Sequence, residues 1–78
     1  MRKKEKKTVI TFATTTAAIR METLCKERNL PGRLIPVPTA ITAGCGLSWA
    51  LYPEEKAPVL AMMEETGLEA EGIYELMI

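Results

Sequence analysis

Two prolines, Pro36 and Pro38, stand two residues apart in the run Arg-Leu-Ile-Pro-Val-Pro at 33–38. The run has the apolar, β-branched character of a strand. Residues two apart in a strand turn their amide groups to the same side, and proline has no N–H to donate. One side of this strand cannot join a hydrogen-bonded ladder, so the segment belongs at the edge of a sheet. Any fold for this chain must keep an edge free for it.

The other elements follow from local pattern. Thr-Val-Ile-Thr-Phe-Ala at 8–13 reads as a first strand, with Ile10 and Phe12 on one face and Val9 and Thr11 on the other. Thr14, Thr15 or Thr16 can cap a helix that runs to about Asn29. Its apolar stripe is Ala17, Ala18, Met21, Leu24 and Cys25, at helical spacing. Leu-Pro-Gly at 30–32 stops it. Leu-Ser-Trp-Ala-Leu-Tyr at 47–52 alternates, with Leu47, Trp49 and Leu51 on one side. Pro53 and Glu54-Glu55 open a second helix, with acid near its positive end. Pro58 must fall in the first turn, so that helix starts near Glu55, presents Val59, Leu60 and Met63 to the core, and closes at Gly67. Residues 72–78 read as the last strand.

The order is β-α-β-β-α-β. With right-handed crossovers it predicts an α+β, ferredoxin-like sandwich: a four-stranded antiparallel sheet with two helices on one face. The second strand is an edge in that fold, as Pro36 and Pro38 require. The buried set is expected to include Ile10, Phe12, Leu24, Trp49, Leu51, Leu60 and Met63. The opposite face is expected to show Val9, Thr11, Ser48, Ala50, Ile73 and Glu75, a small mixed surface suited to a partner or a homodimer. Residues 1–7 read as a basic flexible tail and 8–78 as a single domain.

Composition removes whole classes of chemistry. The 78 residues contain no His, no Asp and no Gln, and a single Ser, Ser48. A Ser-His-Asp triad, a His-metal site, an EF-hand and a catalytic aspartate pair are excluded. Ten Lys and Arg balance ten Glu, so no bulk charge points to nucleic acid or an anionic membrane. No window approaches the ~20 apolar residues of a membrane span. Two cysteines are too few for a secreted disulfide framework, and the start of the chain lacks a signal-peptide core. A cytoplasmic protein with free thiols is expected.

Two thiols then carry the chemical interest. Cys25 lies on the apolar helix stripe, where a free cysteine behaves as a small buried hydrophobe. Cys45 lies in Gly44-Cys45-Gly46, at the end of a connection longer than a hairpin needs. The flanking glycines leave the thiol uncovered, let a partner approach closely, and could offer backbone N–H groups to a thiolate or persulfide. A tight turn that contains a Cys fits the same three residues. A Cys25–Cys45 disulfide has no support in the pattern. A metal site would lack both CxxC spacing and His, so no metal and no cofactor are expected.

Several segments, taken in order, carry a resemblance. Val-Ile-Thr-Phe at 9–12, Thr-Thr-Ala-Ala at 15–18, Leu-Ile-Pro-Val-Pro at 34–38, Gly-Cys-Gly-Leu at 44–47 and Glu-Gly-Ile-Tyr at 71–74 resemble the selenium/sulfur carrier protein-like family. These short bacterial proteins have long been catalogued as a domain of unknown function. The resemblance covers about 8–76. It implies a carrier role, with a persulfide or perselenide held on Cys45 between its neighbours Gly44 and Gly46. The partners implied are a cysteine desulfurase-like donor and an acceptor protein. No general base is evident beside Cys45, which suits a non-enzymatic carrier whose partners supply one. The alternative is a small binding or regulatory module that docks or dimerises through its sheet, with Cys45 only shaping the loop. Selenium and sulfur are not distinguished by the sequence.

Overall fold

A computed structural model of the chain describes residues 4–41 and 45–78. The elements are β1 (Lys6–Thr11), α1 (Thr15–Glu27), β2 (Arg33–Pro36), β3 (Leu47–Leu51), a short 3-10 turn (Pro53–Glu55), α2 (Lys56–Thr66) and β4 (Gly72–Met77). The sheet order is β2-β3-β1-β4, with every neighbouring pair antiparallel. This is the α+β, ferredoxin-like arrangement. β2 is an edge, and the Val37 amide donates to Gly46 O across the hairpin at 3.0 Å. Amides alternate in direction along a strand, so the Pro36 nitrogen faces away from β3 and costs the ladder nothing.

Local chemistry explains the helix limits. The Ala17 amide donates to Thr14 Oγ1 at 3.1 Å, so Thr14 is the cap among the three threonines. Replacing Thr14 by Ala should cost about 1 kcal/mol, readable as a shifted urea midpoint with unchanged slope. Asn29, at φ 54°, turns the chain out of α1. Pro58 sits in the first turn of α2, where no intrahelical N–H is needed, and the left-handed Gly67 ends the helix.

The core lies between the sheet and the two helices. Ile10, Phe12, Ala18, Met21, Cys25, Trp49, Leu51, Val59, Met62, Met63 and Leu68 form one buried cluster. Leu24 and Leu60 are only partly buried against its margin. Met62 and Leu68, absent from the expected core, fill that space. The Trp49 indole N–H donates to Pro31 O at 3.1 Å, which satisfies the polar end of a side chain that is otherwise enclosed.

Two expectations need correction. The first is the sheet's open face. Val9 pairs with Tyr74 and Ala50, while Ile10 pairs with Ile73 and Trp49. Directly opposed residues share a face. Ile73 and Glu75 therefore lie on the helix side, and Tyr74 and Leu76 take the open side. The Lys56–Glu75 ion pair, 2.9 Å from α2 to β4, agrees with this. Val9, Thr11, Ser48 and Ala50 do occupy the open face, but all four are buried. They lie on the two central strands, and Arg33, Ile35 and Tyr74 flank Ala50, Ser48 and Val9 in register.

The second correction concerns the basic tail. β1 begins at Lys6 rather than Thr8, because β4 extends far enough to pair Lys6 and Lys7 with Met77 and Leu76. Glu5 and Ile78 exchange backbone bonds of 3.2 and 3.0 Å beyond them. Lys7 lays its ammonium 5.5 Å from the centre of the Tyr52 ring. Residues 1–33 hold nine Lys and Arg against three Glu, and residues 34–78 hold one Lys against seven Glu; the pairs Lys6–Glu75 and Arg28–Glu65 join the two parts. Such pairs each contribute under about 1 kcal/mol.

Candidate functional site

The two thiols occupy opposite environments. Cys25 projects from α1 into the core, is 1% exposed, and is a free thiol. Burial among apolar groups pushes its pKa from an ordinary 9.0 up to about 11. A thiol in that state is a poor nucleophile. Cys45 is half-buried at the foot of β3 and is also free. Its side chain leans against the margin of the core without entering it.

The Cys45 sulfur is held by the main chain of Leu47. Its Sγ–H donates to Leu47 O at 3.2 Å, and the Leu47 amide donates to Sγ at 3.4 Å. Gly46, at φ 72°, makes this fold-back. Among the described residues beyond its chain neighbours, nothing lies within 4 Å of a Cβ placed on Gly46. Gly44, expected with Gly46 to lend amides to the sulfur, lies outside the described residues. The amide that reaches the sulfur belongs to Leu47, the first residue of β3. A hydrophobic residue two positions after a Cys-Gly turn carries no compositional mark of this role. The geometry of the turn creates it.

The position of the loop can be read from the register. Thr11 pairs with Ser48, and Gly72 pairs with Thr11. Cys45 therefore stands at the end of the sheet where β1 finishes, β4 begins and α1 sets out. The first turn of α1 carries no acidic residue, so that turn adds no carboxylate to repel an anionic sulfur. Among the described residues, only main-chain groups of Leu47 bond to the Cys45 sulfur. No side chain of the described residues hydrogen-bonds to that sulfur.

A concavity of about 880 Å³ lies elsewhere. Lys4, Lys7, Arg33, Ile35, Leu51 and Tyr52 are among the residues that line it, at the opposite end of the sheet. A cargo bound covalently to sulfur needs no enclosing pocket, so the separation of thiol and concavity is compatible with carriage. Among the described residues, no group of three or more Cys or Glu is arranged to hold a metal ion. No helix among them is long and apolar enough to cross a membrane.

Comparison with known proteins completes the picture. The family model described as "Putative Se/S carrier protein-like" matches residues 7–75. The chain belongs to that family. The match runs from β1 into β4 and includes the Cys45 turn, so in this Se/S carrier-like chain the family's unit is the whole sandwich. No curated protein and no solved structure matches it.

Proposed function

We propose that the protein carries sulfur or selenium on Cys45, as a persulfide or perselenide, between a donor and an acceptor protein. The carrying observation is the contrast between its two thiols. Cys25 is sealed in the core with a raised pKa, whereas Cys45 is half-buried at the core margin, in a turn made by Gly46. Family membership supports the same reading.

The chemistry is sulfur transfer by thiolate attack. The Cys45 thiolate attacks the outer sulfur of a donor persulfide. A new S–S bond forms at Cys45, the donor's S–S bond breaks, and the donor cysteine leaves as a thiolate. The Cys45 proton passes to a base on the donor. In the second step an acceptor nucleophile takes the outer sulfur, and the Cys45 thiolate is released. Selenium would follow the same course, with Se–S bonds in place of S–S. Each step exchanges one bond for another, so no net oxidant is needed. A cysteine desulfurase-like protein is the donor class that presents such a persulfide.

The test is loading in vitro. With a cysteine desulfurase and free cysteine, the intact protein should gain the mass of one sulfur, and a reductant should remove it. Cys25→Ser, if folded, should load, and Cys45→Ser should not. Loading mapped to Cys25 would refute the site. Failure of the folded protein to load from several desulfurases would refute the carrier reading. The docking-module alternative is favoured by one observation, the pair of bonds that tie the thiol to Leu47. On that reading Cys45→Ser, whose hydroxyl can replace both bonds, would retain every measurable interaction of the parent chain.

A further inference from the structure

The sheet has two edges of opposite character. β2 is sealed by Pro36. β4 is six residues long, has no proline, and is equally an edge. Ile78 and Glu5 exchange both main-chain bonds, so the Ile78 amide points toward β1. Alternation then turns the N–H and C=O groups of Met77, Glu75 and Ile73 outward, away from the sheet. Natural sheets usually protect such an edge with charge, proline or a covering element. Here the strand has one charge, Glu75, and is otherwise apolar. Of the large hydrophobic side chains that are exposed, four cluster at its end of the sheet: Ile73 at 46%, Tyr74 at 40%, Met77 at 59% and Ile78 at 36%.

We propose that β4 pairs antiparallel with β4 of a second copy of this chain, making a continuous eight-stranded sheet about a two-fold axis through Glu75. Three observations select a second copy and this register. First, an antiparallel strand can pair with itself about a two-fold axis, and such pairing closes at two chains. Pro36 on β2 removes the other edge, so the sheet does not extend further. Second, the register matches side chains. Ile73 meets the partner's Met77 on the helix side, and Tyr74 meets the partner's Leu76 on the open side. Shifting by two residues in either direction sets Glu75 against the partner's Ile73 or the partner's Met77. Gly72 faces the partner's Ile78, and its lack of a side chain is already used by Tyr74, whose ring atoms would lie 2.8 Å from a Cβ there.

Third, the charges suit the axis. Glu75 is the only charged residue of β4, and two copies place one against the other. Each Glu75 is held by Lys56 at 2.9 Å and Lys6 at 3.6 Å. Two carboxylates would thus meet within four ammonium groups, and the repulsion expected of like charges in a cross-strand pair is reversed. The chain carries zero formal net charge, so two copies approach without long-range repulsion.

The proposal is independent of sulfur carriage. Sedimentation across a concentration series should show a monomer–dimer equilibrium. Ile73→Lys puts an ammonium against the partner's Met77 and changes a side chain already half in solvent, so the monomer should keep its fold by circular dichroism. The dimer dissociation constant should rise at least tenfold. A site-specific readout comes from Glu75→Cys in a Cys45→Ser background, where a short bis-maleimide should link two chains efficiently. Ile35→Cys on β2 in the same background should not link. A chain that stays monomeric at every concentration overturns the proposal. So does a dimer that is indifferent to Ile73→Lys, or one that links through position 35 and not 75.

Discussion

Gly32→Ala should unfold most of the protein's margin of stability. Gly32 has φ +114°, a region open in practice only to glycine. A Cβ placed on it would overlap the Trp49 Nε1 atom and stand 2.7 Å from Cε2 and 3.0 Å from Ala50 O. The indole cannot simply move aside. It is 3% exposed, packed in the core, and tied by its N–H to the neighbouring Pro31 carbonyl at 3.1 Å. Shifting it breaks that bond and opens the core beside Leu34, its partner across the β2–β3 pair. Backbone strain and displacement together should cost about 3 kcal/mol or more. For a domain of this size that is a fall in melting temperature of more than ~12 °C. Gly46→Ala is the control. Gly46 also has positive φ, but among the described residues a Cβ there meets nothing within 4 Å beyond its chain neighbours, so the backbone penalty of about 1 kcal/mol is the expected cost. Equal losses for the two variants would mean that the indole contact carries no energy.

Cys25 should make the fold sensitive to alkali. In the unfolded chain its thiol ionises near the ordinary value of 9.0, whereas in the folded protein burial holds it protonated to about 11. Below pH 9 both states keep the proton and stability does not depend on it. Between 9 and 11 the unfolded state loses the proton first, so stability falls with rising pH. The two-unit difference corresponds to about 2–3 kcal/mol lost across that window. Lys and Tyr residues titrate there as well, so the measurement is a comparison. Chemical denaturation of the parent and of Cys25→Ala should give curves that converge from pH 9 to 11. Curves that stay parallel would contradict the burial of this thiol. The same burial predicts that iodoacetamide labels Cys45 at least ~100-fold faster than Cys25 at neutral pH, since Cys25 must first be exposed by an opening of the structure.

Much of the fold was legible because its determinants are local. A missing N–H at Pro36 is a property of that residue wherever it sits, and it implied the edge position of β2. Thr14, Pro58 and Gly67 mark helix limits through their own side-chain or backbone chemistry. The spacing of Ala18, Met21 and Cys25 reports a buried helix face, and Cys25 is accordingly in the core. The order of elements and the handedness of crossovers then leave few topologies.

The phase of β4 was not legible. Ile73 and Tyr74 are both large and apolar, so alternation does not say which one faces the helices. Pairing with Ile10 and Val9 decides it, and those contacts join residues more than sixty positions apart. The start of β1 was missed for a related reason. Lys6 and Lys7 have no strand signature of their own and become strand because Met77 and Leu76 offer them a ladder. At the core margin, Met62 and Leu68 displaced Leu24 and Leu60 as fully buried residues, a result of how two helices settle on one sheet.

The candidate site divides along the same line. The sequence by itself determined which thiols exist, that one lies on an apolar helix face and the other beside glycine, and that no histidine or aspartate accompanies either. These are matters of covalent chemistry and short-range spacing. Only the tertiary structure decided that the Leu47 main chain holds the Cys45 sulfur, that Gly32 lies against Trp49, and that β4 is a bare edge turned outward. Each depends on where separate segments meet, and side-chain pattern leaves that open until strand register and packing are set together.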